Sequence, residues 1–285
     1  MATIAQLKRN VPPVVKGLVF AVVAAAVQII AVPFLIRPLF DLSRGATAAI
    51  TAGGAALFAP YGFFVGWKEL YAFTPRTIWA LILDVSWSGI NTVTGFFWLV
   101  WCAAKGTLRT DCDEAKHRGI CVYQDVALPG AVASTLGPVI GGTWLLHEAV
   151  HVQQARIFGP FYWPVYLLSY ASAMIARLIT GRFRDPHWEA YERVVMEDWA
   201  YRAAPGLATK LNVKASILWF FIALLNTVAV GVLIAPIAGV GALPALIGLK
   251  AIPWWTGLVV VALYALFRSV FPKARFDSWQ LSFKT

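Results

Sequence analysis

The sequence predicts an all-α polytopic membrane protein of about five to six hydrophobic helices. A small β-hairpin or loop insertion is expected before the helix that carries His147-Glu148-Ala149-Val150-His151. Three observations lead there. The chain is 59% hydrophobic and only 13% charged, whereas about a quarter of a soluble domain is charged. Its apolar residues fall in runs long enough to cross a bilayer, which takes roughly 20 residues. It also carries 13 Trp, 9 Tyr and 18 Phe, ring types that favour the headgroup region.

The apolar runs give six candidate spans at 14–38, 46–66, 77–104, 160–179, 214–238 and 252–271, of which the third and fifth are the clearest. The first is too long for a signal-peptide core and reads as a retained anchor. The second is rich in Gly and Ala and contains Pro60, and the fourth opens Pro160-Phe161-Tyr162-Trp163-Pro164. Either of these two can instead be re-entrant or interfacial, so six is an upper count.

Between the third span and the HExxH segment lies a polar stretch, Gly106 to Ser134, with a Pro129-Gly130 turn. It reads as a short β-hairpin or loop subdomain. A second β-leaning piece, Ser134 to Ile140, ends at Gly141-Gly142 just before the HExxH helix, where zincin-like sites hold substrate on an edge strand. The expected organisation is therefore 1–106 as N-terminal membrane helices, 107–142 as the extramembrane insertion, 143–204 as the core bearing the motif and 205–285 as C-terminal membrane helices.

The net charge of +10 is spread over short loops and tails such as Lys8-Arg9, Arg182 to Arg184 and Lys273 to Arg275. This distribution suits anionic lipid headgroups as partners and offers no basic stripe for nucleic acid. The loop charges lean towards an N-terminus on the cytoplasmic side. Cys102, Cys112 and Cys121 cannot make a disulfide framework, although one Cys112 to Cys121 bridge is compatible with the sequence.

Chemistry concentrates in the HExxH motif. Residues four apart on an α-helix share a face, so the imidazoles of His147 and His151 can reach one Zn2+ ion. Glu148 projects beside them as the base that takes a proton from an attacking water. The motif uses half of the four histidines. The competing reading has the three side chains hydrogen-bonding among spans without a metal. Gln153 and Gln154 follow where zincins usually continue with an apolar residue.

A catalytic zinc site needs a third protein ligand. The segment Asp185 to Ala204 reads as one amphipathic helix, with Asp185 as N-cap and Pro186 in the first turn. It offers His187, Glu189, Glu192, Glu197 and Asp198. Wound as a single helix, Trp188, Glu192, Val195 and Trp199 form one stripe with Glu197 nearly opposite. Glu192 is thus the expected ligand and Glu189 the alternative, while a salt bridge to Arg177, Arg182 or Arg184 would explain Glu192 without a metal. Asp84, inside the third span, either orients a ligand histidine or marks a helix end. Tyr123, Tyr166, Tyr170 and Tyr191 are all able to offer a hydroxyl to a developing oxyanion.

His147, Glu148, His151 and Glu192 resemble the site of gluzincin-type membrane zinc metallopeptidases. The stretch from Thr135-Leu136-Gly137-Pro138 through HEAVH to Gly159-Pro160-Phe161-Tyr162-Trp163-Pro164 is similar to uncharacterised bacterial polytopic membrane proteins. Many gluzincins place an acidic residue four positions after the glutamate ligand, where this chain has Met196. The resemblance implies a zinc-dependent peptidase of a bacterial inner membrane, acting on a membrane-associated protein. Its rivals are a non-catalytic or metal-stabilised subunit of a larger membrane complex and a zinc enzyme acting on lipid.

Overall fold

Small residues and hydrogen-bonding side chains decide where the apolar runs start, bend and stop in the computed structural model. It describes residues 11–109, 111–127, 131–179, 190–234 and 253–270. The chain divides into two units. One comprises Met1–Trp144 with Ala155–Gly159, and the other Leu145–Gln154 with Pro160–Thr285.

In the first unit, helix α1 (Pro13–Ala31) begins at a proline, whose missing N–H costs nothing in a first turn. It passes into a π-helical turn, Val32–Ile36, at Pro33, where the ring cannot sustain the ordinary ladder. Helix α2 (Arg44–Trp67) is capped by Ser43 and runs through Pro60 without a break, so the second apolar run is one continuous helix. The two helices approach closely at Gly62 and Gly66, a small-xxx-small spacing: a Cβ at Gly62 would strike the Phe20 backbone, and one at Gly66 the Gly17 backbone.

The run expected to form the third span is two helices. Helix α3 (Pro75–Val85) starts in a capping box made by Thr74 and Thr77, and helix α4 (Gly89–Ala104) follows a turn at Ser86–Ser88. The turn has a physical reason. Trp87 Nε1 donates to the Ile157 carbonyl (2.9 Å), Ser88 Oγ to the Ala155 carbonyl (2.9 Å) and Asn91 Nδ2 to the Gly159 carbonyl (2.9 Å). These carbonyls close the end of a later helix that would otherwise leave them orphaned.

Four strands follow: β1 (Leu108–Arg109), β2 (Cys121–Tyr123), β3 (Ala133–Leu136) and β4 (Val139–Gly142). Helix α5 (Asp113–Arg118) intervenes and ends at Gly119, whose positive φ of 65° closes it. The sheet order is β1-β2-β4-β3, with β2 and β4 parallel and the other pairs antiparallel. The expected hairpin insertion is thus a small mixed sheet in which β3 is an edge. Cys112 and Cys121 are both free thiols, so the bridge between them does not form.

A buried network organises this unit. Asp84 accepts from Arg156 on both oxygens (2.8 Å each) and from the Tyr71 hydroxyl (2.8 Å), which in turn meets the Tyr61 hydroxyl (2.8 Å). Arg156 also donates to the carbonyls of Arg118 and Gly119. Around it pack Phe20, Phe58, Val65, Leu81, Leu99 and Cys121.

The second unit holds the start of helix α6 (Leu146–Phe158), then α7 (Tyr162–Ile179), α8 (Val195–Ala203), α9 (Val213–Ile234) and α10 (Trp254–Val270). Helix α9 packs on α7, α8 and α10. Among the described residues, three helices are long and apolar enough to cross a membrane: Pro13–Phe34, Arg44–Trp67 and Val213–Val232. The molecule is mostly helical, with three such helices where five to six were expected.

Candidate metal site

The first turns of α6 deliver the motif. His147 and His151 lie one turn apart, both buried, with their Nε2 atoms 3.1 Å from each other. The third group is Glu197, whose Oε2 lies 3.5 Å from His147 Nε2 and 3.4 Å from His151 Nε2. Three atoms bound to one ion at about 2.0–2.1 Å in a tetrahedral arrangement stand about 3.3 Å apart. The observed spacings bracket that value, so this buried His-His-Glu group can hold a metal ion.

Each of these groups is held from behind. His151 Nδ1 pairs with Gln154 Oε1 at 2.9 Å, and Gln154 Nε2 donates to the Met196 carbonyl at 2.9 Å. Tyr166 donates to Glu197 Oε1 at 2.9 Å, which leaves Oε2 as the oxygen that meets the histidines. The ring of Tyr201 lies over His147 with centroids 4.3 Å apart. Glu148, also buried, acts on His151 through its charge.

The electrostatics follow from burial opposed by charge. Burial alone lowers the pKa of His151, but Glu197, by its charge and its hydrogen bond, overrides it and pushes the value up to about 9, with smaller help from Glu148 and Gln154. Burial likewise raises the pKa of Glu197, yet the charge of His151 and hydrogen bonds from both histidines hold it far below the usual carboxylate range. Without a metal the site is a buried ion pair, and a cation arriving there meets a carboxylate already ionised.

The third member of the group is Glu197, where the expected ligand is Glu192. That reading wound Asp185 to Ala204 as one helix, and the structure breaks it. Val194, with φ −59° and ψ 133°, is the N-cap of a new helix, so the helical phase before it does not carry through. Glu192 lies in the turn ahead of the break, half-buried and outside the group of three. Glu197 sits in the first turn of α8, where a carboxylate is favoured by the helix dipole. Glu189 and His187 lie outside the described residues.

Asp84 stands in the last turn of α3, so of its two readings the helix end holds. Its carboxylate is taken by Arg156 and Tyr71, a full set of strong donors, and orients no histidine. Of the four tyrosines, Tyr166 touches a ligand, and Tyr191 hydrogen-bonds to Tyr166. Tyr123 is a buried strand residue of the first unit. Two site residues escaped the sequence reading, Gln154 and Tyr201. The signal for Gln154 was its departure from the apolar continuation of a zincin helix. For Glu197 the signal was an acidic pair, Glu197-Asp198, inside the otherwise apolar Val194–Ala200.

Comparison with known proteins returns no match to this chain among protein-family models, curated proteins or solved structures.

Proposed function

We propose that the chain is a membrane-embedded, zinc-dependent peptidase of the gluzincin type, with His147, His151 and Glu197 as ligands and Glu148 as general base. The convergence of two imidazole nitrogens and one carboxylate oxygen on a single point supports this most directly. Two imidazoles with one carboxylate, closely spaced, suit zinc better than the all-oxygen shells that calcium and magnesium take.

A zinc ion held there would lower the pKa of a bound water and polarise a carbonyl. Glu148 takes up the proton as water attacks that carbonyl and passes it to the departing amine. Tyr166 and Gln154 keep Glu197 and His151 oriented throughout. Membrane embedding is supported by the three long apolar helices and by their outward stripes, Val14, Leu18, Val22 and Ile29 on one and Ile217, Leu218, Phe221 and Leu225 on another. We place the protein in a bacterial inner membrane, with a membrane-associated protein as substrate.

The test is metal content and hydrolysis together, on detergent-purified protein purified without chelators. Wild type and Glu148→Gln should each carry one zinc per chain and His147→Ala none, and only wild type should cleave a quenched fluorescent peptide library. Zinc in the wild type without cleavage of peptides or of co-reconstituted membrane proteins would make this a metal-stabilised subunit. No zinc in the wild type after zinc is supplied would sink the metal reading.

A further inference from the structure

We infer that Gln154 is a positioning residue of the metal site, presenting His151 Nε2 to the metal and tying that histidine to the helix that carries Glu197. This rests on the metal-site reading above and adds a part which the motif does not contain.

Gln154 has no exposed surface and follows His151 by three positions, on the same face of α6. Its two contacts fix each other. The Met196 carbonyl can only accept, so the amide nitrogen faces it (2.9 Å). The amide oxygen therefore faces His151 Nδ1 (2.9 Å), and since that oxygen can only accept, Nδ1 carries a hydrogen whether the ring is neutral or charged. The nitrogen left to bind a metal is then Nε2, the atom 3.1 Å from its counterpart on His147 and 3.4 Å from Glu197 Oε2.

The second contact matters as much. Met196 adjoins Glu197 in the first turn of α8, so one amide sets both the ring orientation of a ligand and the spacing between two ligand-bearing helices. Metal-bound histidines usually donate their other N–H to a carboxylate, a backbone carbonyl or water. Here a neutral amide oxygen accepts it and adds no charge to the site.

Two variants separate this role from mere filling of space. Gln154→Met keeps the volume and removes both hydrogen bonds, whereas Gln154→Glu keeps an acceptor for Nδ1–H. Zinc affinity is measured by chelator competition. The His151 Nδ1–H signal and its protection from solvent exchange are followed in ¹⁵N-histidine-labelled protein. Gln154→Met should bind zinc about 10- to 100-fold more weakly and lose the protected signal while keeping its helix content. Gln154→Glu should recover to within about tenfold of wild type.

Wild-type zinc affinity in Gln154→Met, or no protected Nδ1–H in the wild type, overturns the inference. A wild type that shows the protected signal and takes no zinc overturns the metal-site reading and Gln154's role toward a metal with it, leaving only the contact.

Discussion

Arg156 and His151 stand five positions apart on α6, and both are buried ionisable groups, yet their surroundings follow different rules. Around Arg156, donors and acceptors match: three of its nitrogens find Asp84 or a backbone carbonyl, and Tyr71 completes the carboxylate. Around His151, three groups of metal-ligating type point at one another, with Glu197 Oε2 3.4 Å from His151 Nε2 and 3.5 Å from His147 Nε2. A closed network is finished by the protein itself. An open one, with His151 and Glu197 oriented from behind by Gln154 and Tyr166, can be finished by a metal ion from outside.

Breaking the closed network should have the largest effect on stability. Arg156→Met leaves Asp84 charged and buried without its partner, which costs about 3–5 kcal/mol. Denaturant unfolding in detergent measures it. Adding Asp84→Asn should recover part of the loss, because no unpaired charge remains. A single variant as stable as wild type would mean that water reaches Asp84, and the contrast between the clusters would fall.

Opening the other cluster further should spare the fold and cost the metal. Glu197→Gln is expected to weaken zinc binding by at least about 100-fold, more than loss of a supporting contact does, while Glu192→Gln stays within about threefold of wild type. Both are read by zinc titration against a chelator. Equal losses would return Glu192 to the ligand set.

The same cluster gives the metal-free protein a pH dependence. His151 is raised to about 9, so its contribution is complete below its ordinary value of 6.5 and is lost as the pH climbs through about 9. Glu197 is lowered, so its contribution is complete above the ordinary 4.5 and is lost on acidification. The metal-free protein should therefore be most stable between about pH 4.5 and 6.5 and lose roughly 2–3 kcal/mol by pH 9. A zinc ion bound there would compete with the Nε2 proton of His151, so any stabilisation by added zinc should grow over that alkaline range. A metal-free unfolding curve that stays level from pH 6.5 to 9 would show that His151 and Glu197 are not coupled.

What was legible in the sequence follows the range of the interaction that decides it. His147, Glu148 and His151 sit within one turn of helix, and local spacing was enough to place them. The long apolar helices expected within 14–38 and 46–66 were legible for the same reason, as local apolar length. Glu197 depended on a break at Val194, where two valines and no glycine or proline announce a new helix. The split of 77–104 depended on carbonyls of Ala155, Ile157 and Gly159, which Trp87, Ser88 and Asn91 must satisfy some 70 residues ahead in sequence. Asp84 was legible as a buried acid in need of a partner, but not which partner, since the choice of Arg156 over a histidine is made by tertiary packing.

The thiols give the smallest effect and the finest measure of how closed the closed network is. Cys121 lies on β2 with no exposed surface, and burial pushes its thiol well above the ordinary range, with the Asp84 charge adding and Arg156 opposing. Cys112, at the N-cap of α5, is half-buried. Because the thiolate is the reactive form, a maleimide should label Cys112 in the native protein and reach Cys121 only on unfolding. Cys112→Ser should change stability by less than about 0.5 kcal/mol, since no bridge is lost. If Cys121 instead labels as fast as Cys112 in native protein, the network opens to water on the time scale of labelling. The distinction between a cluster the protein completes and one it leaves for a metal would then be one of degree.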